Sequence, residues 1–274
     1  MSARYAVIGN PVAHSLSPRI HALFAAQLAE PIAYERILAP LDAFRPTVER
    51  FFAEGGAGAN VTLPFKEEAF LWVTERDELA GAAGAVNTIA RSGGGYSGSN
   101  TDGPGFMRDL DTIGVNVTGR RVLVIGAGGG VRGILGPLLA AAPAAVVLTN
   151  RTVERARVLV ERLEDPRLSA IPVAALASTF DLVVNGTSAS LADEVPDLPP
   201  RLVRGAFCYD MMYGAGPTAF MRWAERSGAA ATADGLGMLV QQAALSFFLW
   251  RGRAPAPAPA LAALRLELVS PGEP

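Results

Sequence analysis

The stretch Val122-Leu123-Val124-Ile125-Gly126-Ala127-Gly128-Gly129-Gly130-Val131-Arg132-Gly133 constrains the fold of this chain more than any other. An apolar run enters a glycine cluster and leaves it as a helix, which is the pattern of a strand, a tight turn and a helix lying back on a sheet. Gly126 permits the turn. Gly128 lets a pyrophosphate approach the backbone, and the helix N-terminus, with Ala127, Gly129 and Gly130 around it, supplies aligned N–H groups. The pattern departs from G-x-G-x-x-G, because Val131 fills the third glycine position. A glycine loop alone can be only a tight βα turn; the strand before it and the helix after it favour a dinucleotide site.

The rest of the chain reads as two α/β series. Strands are predicted over 3–8, 32–38, 58–61, 86–90 and 96–99, the last two flanking a glycine-rich hairpin turn. Helices are predicted over 17–28, 41–52, 65–71 and 104–110. The second series has strands at 121–125, 145–149, 181–184 and 206–209, and helices at 130–141 and 152–163. Near-continuous apolar strands of this kind suit a parallel sheet covered on both faces. A long apolar helix, 235–250, follows the second series and is free to return to the first domain. Alternating Ala and Pro over 254–259 reads as a stiff extended connector before a last helix at 260–269. The expected division is a first domain of 1–103 with 236–274, and a second of 104–235.

Composition excludes several function classes. The 274 residues are half apolar, with net charge −2 and 7% aromatics, so there is no nucleic-acid footprint. Cys208 is the only cysteine and His14 and His21 the only histidines, which argues against an internal disulfide, a thiolate cluster or a multi-histidine metal site. The chain enters its first strand without a signal-peptide pattern, and glycine, arginine and proline interrupt the apolar stretch 122–148, so no membrane span is expected. The expectation is a cytoplasmic protein with no metal, membrane or nucleic-acid partner.

The end of the strand at 145–149 bears on which dinucleotide. An NAD site usually has Asp or Glu there to accept from the ribose 2′-hydroxyl. This chain has Asn150, then Arg151, Thr152, Val153, Glu154 and Arg155. Arg151 and Arg155, four apart, share one face of the helix start. Guanidinium forks match a 2′-phosphate, so NADP is favoured over NAD. Two exposed helix arginines are the plainer alternative, and Glu154 stands between them.

Lys66 is the only lysine; the other 23 basic residues are arginine. Arginine cannot release a proton in a protein and lysine can, so a single lysine is a candidate for proton chemistry. A leftover surface lysine is as good a reading of that fact alone. Its setting, Asn60-Val61-Thr62-Leu63-Pro64-Phe65-Lys66, is the end of a strand broken by proline.

Together these segments resemble the shikimate dehydrogenases over nearly the full length. The resemblance rests on Gly9-Asn10-Pro11-Val12-Ala13-His14-Ser15-Leu16-Ser17-Pro18, Asn60 to Lys66, Gly84-Ala85-Val86-Asn87-Thr88 and Asn100-Thr101-Asp102-Gly103. It continues through the glycine loop, Asn150-Arg151-Thr152, Asn185-Gly186-Thr187-Ser188, Tyr209-Asp210-Met211, and Gly235-Leu236-Gly237-Met238-Leu239-Val240 with Gln242. It implies a substrate domain, a Rossmann-like NADP domain, and a C-terminal helical segment packing back on the first. It implies reversible NADPH-dependent reduction of 3-dehydroshikimate to shikimate. Lys66 and Asp102 are then the catalytic pair. Ser15, Ser17 and Tyr213 go to the substrate carboxylate, and Thr62, Asn87 and Gln242 to the ring hydroxyls. The glycine loop, Asn150, Arg151, Thr152, Arg155, Thr187, Met211, Gly235 and Met238 go to the cofactor. Leu16, and the small run Gly214-Ala215-Gly216, depart from the family pattern.

Each role has a plainer counterpart: helix capping for Ser15, Ser17 and Asp102, strand closure for Thr62, backbone partners for Asn87 and Gln242, and packing for Tyr213. A broader quinate/shikimate enzyme would carry an acid near Asn150 or Arg151. A catalytically silent NADP-binding regulator would lack the Lys/Asp pair. The expected assembly is a monomer or homodimer.

Overall fold

The computed structural model describes residues 2–269, which form two compact units. The first runs to Gly105 and takes back Val240–Leu264. The second is Phe106–Leu239, joined by the chain from Arg265.

The first unit contains β1 (Ala3–Gly9), β2 (Ile32–Leu38), β3 (Gly56–Val61), β4 (Glu75–Arg76), β5 (Thr88–Ser92) and β6 (Gly95–Ser99), in the order β2-β1-β3-β5-β6-β4. β1 pairs in parallel with β2 and β3, whereas β5 is antiparallel to β3 and β6. Gly93 and Gly94 form the β5–β6 turn, both at positive φ, which is why the hairpin needs only two linking residues. The helices are α1 (Ser17–Leu28), α2 (Phe44–Ala53), α3 (Lys66–Trp72) and α4 (Glu78–Ala83), with the first turn of α5 (Asp102–Thr112). Ala6, Ile8, Ala59, Val61 and Ile89 of the sheet pack on Phe44, Val48, Phe51, Phe52, Phe65 and Ala69. An aromatic layer also forms in this unit, with Tyr5 stacked on Trp250 and the ring of His21 stacked on Tyr34 at 4.3 Å.

The second unit contains β7 (Arg121–Ile125), β8 (Ala145–Thr149), β9 (Leu168–Ala170), β10 (Leu182–Asn185), β11 (Phe207–Asp210) and β12 (Ala231–Asp234). All pair in parallel, and the order β9-β8-β7-β10-β11-β12 is the 3-2-1-4-5-6 order of a dinucleotide-binding sheet. Strand residues alternate between two cores. Val122, Val124, Val146, Leu148, Leu182 and Val184 pack with α5, α6 (Gly129–Ala140) and α7 (Val153–Leu163). Leu123, Ile125, Val147 and Val183 pack with α8 (Ala219–Arg226) and neighbouring turns. Both faces are covered, as continuous apolar strands require.

α9 (Leu236–Arg251) carries the chain back to the first unit. The last helix, α10, spans Pro257–Val269 and so starts inside the Ala/Pro run, correcting the expectation of an extended connector to residue 259. Proline is tolerated in a first helical turn, where its missing N–H has no intrahelical partner to lose. The sequence reading also missed β4, α4, β9, α8 and β12. Among the described residues no helix is long and apolar enough to cross a membrane, and no cluster of His, Cys, Asp and Glu could hold a metal ion.

Candidate active site

In the first unit, the end of β3 sets the place of Lys66. The Thr62 N–H donates to the Ile8 carbonyl at 2.9 Å, and the Phe65 N–H to the Thr62 carbonyl at 3.1 Å, which turns the chain into α3. Gly9 leaves room for Thr62: a Cβ at residue 9 would lie 2.3 Å from Thr62 Cγ2. Lys66 is therefore the first residue of α3, and its carbonyl accepts from the Val86 N–H. Its ammonium donates to Asp102 Oδ2 at 2.5 Å, with the two side chains only 12% and 6% exposed. Removing one member of such a pair strands the other's charge away from water.

Asp102 begins α5, and its backbone N–H donates to Asn100 Oδ1 at 3.1 Å. Its second oxygen, Oδ1, accepts from Asn87 Nδ2 at 2.8 Å. Asn87 Nδ2 also reaches Thr101 Oγ1 and Gln242 Oε1, and Asn87 Oδ1 accepts from the Thr101 N–H and the Thr88 hydroxyl. Gln242 arrives on α9, whose backbone presses on α5 at Gly105; a Cβ there would lie 2.7 Å from Gln242 Cβ. Asn87 and Gln242 thus share one buried polar network with Asp102. The sequence reading gave no role to Thr88, Thr101, Ser246 and Tyr34 in that network. Ser246 had one available signal: a hydroxyl one turn after Gln242, in an apolar helix.

Ser15 and Ser17 meet at the start of α1, where Ser15 Oγ donates to Ser17 Oγ at 3.2 Å and accepts from the Ser17 N–H. Leu16 is the N-cap residue and provides no side-chain cap. Arg36 on β2 braces this loop by donating from Nε and Nη2 to the Ser15 carbonyl. His14 is exposed, whereas His21 is fully buried. Burial lowers the His21 imidazole from 6.5 to about 3, against a smaller upward pull from Asn60, although neither ring nitrogen reaches a partner in hydrogen-bonding geometry. Tyr213 is half-buried in the chain after β11, in the second unit.

In the second unit the glycine loop follows β7. Gly126 has φ +112°, and its N–H donates to the Thr149 carbonyl at 2.8 Å. Gly128 is the N-cap of α6, and a Cβ there would meet nothing within 4 Å, so this stretch of backbone is open to approach. Val131, at the usual third glycine, is fully buried in the core. The close packing is met across the sheet by Gly186, where a Cβ would lie 2.2 Å from Val131 Cγ2. The loops after β7 and β10 thus touch at the carboxyl ends of the two strands where the sheet order reverses, the place such sheets use for ligands.

Asp210, at the end of β11, ties the surrounding loops together. It accepts from Asn185 Nδ2, the Ser190 and Thr218 hydroxyls and the Met212 N–H, while Asn185 Oδ1 holds Thr187. Burial raises its carboxyl above the usual range against these four donors. Gly130 and Gly235 pack against Met211, and Met238 is buried in the adjoining core. Beyond β8, Asn150 Nδ2 donates to the Thr152 carbonyl at 2.7 Å. Arg151 and Arg155 are exposed at the start of α7. Glu154 pairs with Arg157 at 3.1 Å, so it does not neutralise either arginine.

Comparison with known proteins adds to this geometry. The family model for the shikimate dehydrogenase substrate binding domain matches residues 7–89, that for shikimate / quinate 5-dehydrogenase 110–192, and that for the shikimate 5′-dehydrogenase C-terminal domain 235–265. The NADP(+) shikimate dehydrogenase of Alkalilimnicola ehrlichii is 56% identical, over 97% of this chain and 100% of its own. An Ael1 enzyme from Pseudomonas putida superposes with TM-score 0.89 at 43% identity, covering 96% and 98% of the two chains. The shikimate 5-dehydrogenase of Thermus thermophilus, solved with NADP(H) and shikimate, superposes with TM-score 0.87 at 35% identity, over 97% of this chain and 100% of that one.

Proposed function

The chain belongs to the shikimate dehydrogenase family, and on that premise we propose that Lys66 and Asp102 carry the proton step of its reaction. That reaction is the reversible NADPH-dependent reduction of 3-dehydroshikimate to shikimate, an oxidoreductase step of aromatic amino-acid biosynthesis. The observation that carries the proposal is the close, nearly buried contact between Lys66 Nζ and Asp102 Oδ2.

When bound, NADPH supplies the hydride that converts the ketone carbon to an alcohol carbon. The developing alkoxide oxygen needs a proton and a positive neighbour, and Lys66 Nζ offers both. Asp102 Oδ2 fixes the ammonium, and Asn87 fixes Asp102 from its other oxygen. In the oxidation of shikimate the same groups take the hydroxyl proton back. Thr62, Asn87 and Gln242 supply amide and hydroxyl groups for the ring hydroxyls; Ser15, Ser17 and Tyr213 serve the carboxylate.

The residues present fit NADP. The open backbone at Gly128, together with the α6 N-terminus, suits a pyrophosphate. Arg151 and Arg155, with Asn150 and Thr152, suit the 2′-phosphate, and Thr187, Met211, Gly235 and Met238 the nicotinamide end. We place the enzyme in the cytoplasm, a reducing compartment that suits a single buried thiol, Cys208. All the named groups lie in one chain, so a monomer suffices and a homodimer is compatible. The test is the absorbance of reduced cofactor formed from shikimate: NADP+ is turned over in clear preference to NAD+. Equal use of the two would contradict the phosphate reading.

A further inference from the structure

We infer that Thr88, backed by Asn60 and Ser246, is a positioning residue that fixes which way round the Asn87 amide sits against Asp102. The inference rests on the reading of Lys66 and Asp102 as the proton-transferring pair.

The neighbours dictate the amide's orientation. A carboxylate oxygen only accepts, so the group facing Asp102 Oδ1 at 2.8 Å is Asn87 Nδ2. A backbone N–H only donates, so the group facing the Thr101 N–H at 2.9 Å is Asn87 Oδ1. Turned through 180°, the amide would set oxygen against carboxylate and N–H against N–H. The Thr88 hydroxyl adds a donor to Asn87 Oδ1 at 2.9 Å and so opposes that turn.

Behind Thr88 the polar groups continue into Asn60 and Ser246. Asn60 Nδ2 faces the Asn87 carbonyl at 3.2 Å, an acceptor only, so this amide is fixed too. The two Nδ2 hydrogens are shared among that carbonyl, Thr88 Oγ1 at 3.2 Å and Ser246 Oγ at 3.0 Å, and Asn60 Oδ1 accepts from the Tyr34 hydroxyl at 2.7 Å. Asn87 Oδ1 only accepts, so the hydrogen between it and Thr88 Oγ1 comes from Thr88, while Ser246 Oγ, which donates to the Gln242 carbonyl at 3.1 Å, packs 2.8 Å from Thr88 Oγ1 on the other side. The donors run one way: Tyr34 to Asn60, Asn60 to Thr88, Thr88 to Asn87, Asn87 to Asp102. Asn60, Thr88 and Ser246 are buried, so water does not replace a bond lost here. None of the three bonds Lys66 or Asp102, so they act through Asn87.

The experiment is steady-state shikimate oxidation with NADP+ by the full chain. Thr88→Val keeps the shape and removes the hydroxyl, and Thr88→Ser restores it. Ser246→Ala removes the hydroxyl behind, and Asp102→Asn checks the underlying reading. Thr88→Val is expected to lower kcat about tenfold, the scale of one buried hydrogen bond acting on a charged group, while both KM values stay within about threefold. Thr88→Ser restores kcat to within about twofold, and Ser246→Ala lowers it about threefold. Parental kcat in Thr88→Val, or Thr88→Ser as slow as Thr88→Val, overturns the inference. Where circular dichroism shows Thr88→Val unfolded, Ser246→Ala decides, and parental kcat there overturns it. Parental kcat in Asp102→Asn removes the underlying reading and the inference with it. A slow Asp102→Asn beside a fast Thr88→Val overturns the positioning role alone.

Discussion

Arginine and lysine divide their work in this chain. Of its 24 basic residues all but Lys66 are arginine, so charge at the surface is carried by groups that keep their protons. In the proposed cofactor site Arg151 and Arg155 would use that charge on a phosphate, which planar forks suit, and Glu154 is engaged by Arg157. Arg151→Ala is therefore expected to raise the KM for NADP+ on the order of ten- to a hundredfold, from the loss of a hydrogen bond between charged groups worth roughly 1.5–3 kcal/mol. Use of NAD+, which has no 2′-phosphate, stays nearly unchanged. Initial rates with each cofactor check this, and an equal loss with both would show that Arg151 does not read the phosphate.

At the scale of elements, the starts of α3 and α5 hold the proposed proton-transferring pair, Lys66 and Asp102, and α1 carries a buried histidine. His21 titrates at about 3, below its ordinary 6.5, because burial disfavours the charged ring. A depressed pKa contributes stability that is present above pH 6.5 and is lost as pH falls towards 3, when the unfolded chain binds the proton first. The ceiling of that term is about 4–5 kcal/mol, at 1.36 kcal/mol per unit. His21→Phe keeps a ring against Tyr34 and removes the titration. The variant is expected to lose less stability than the parent between pH 6.5 and 3 in urea melts. Identical acid limbs would assign the parent's acid loss to other groups.

For the whole molecule, much of the fold was legible because its signals are local. Apolar runs and glycine turns marked β1, β2, β7 and β8 and the hairpin of β5 and β6. Two of the strands missed, β9 and β12, are the short edges of the second sheet. β9 has three residues and β12 has Ala231 exposed, so pairing with a neighbour, rather than an apolar run, makes them strands. The last helix was misjudged at Pro257 because proline was read as a breaker where it starts a helix. In the site, Lys66 stood out by its rarity, whereas Asp102 was singled out only by the resemblance, since its place before glycine and proline reads equally as a helix cap. Thr88, Asn60 and Ser246 gave little signal, because a hydroxyl or amide in a strand or helix becomes informative only with its partner. Ser246 lies 158 residues from Thr88 and 186 from Asn60 along the chain.

The central claim, that Lys66 moves a proton as well as holding charge, is tested most directly by kcat for shikimate oxidation with NADP+ in Lys66→Arg. Arginine keeps the charge and withholds the proton. The account predicts a fall in kcat of roughly 10²–10⁴-fold with a smaller change in the KM for shikimate and intact NADP+ binding. A Lys66→Arg enzyme that turns over at nearly the parental rate would contradict it, leaving Lys66 as a clamp for the substrate alone.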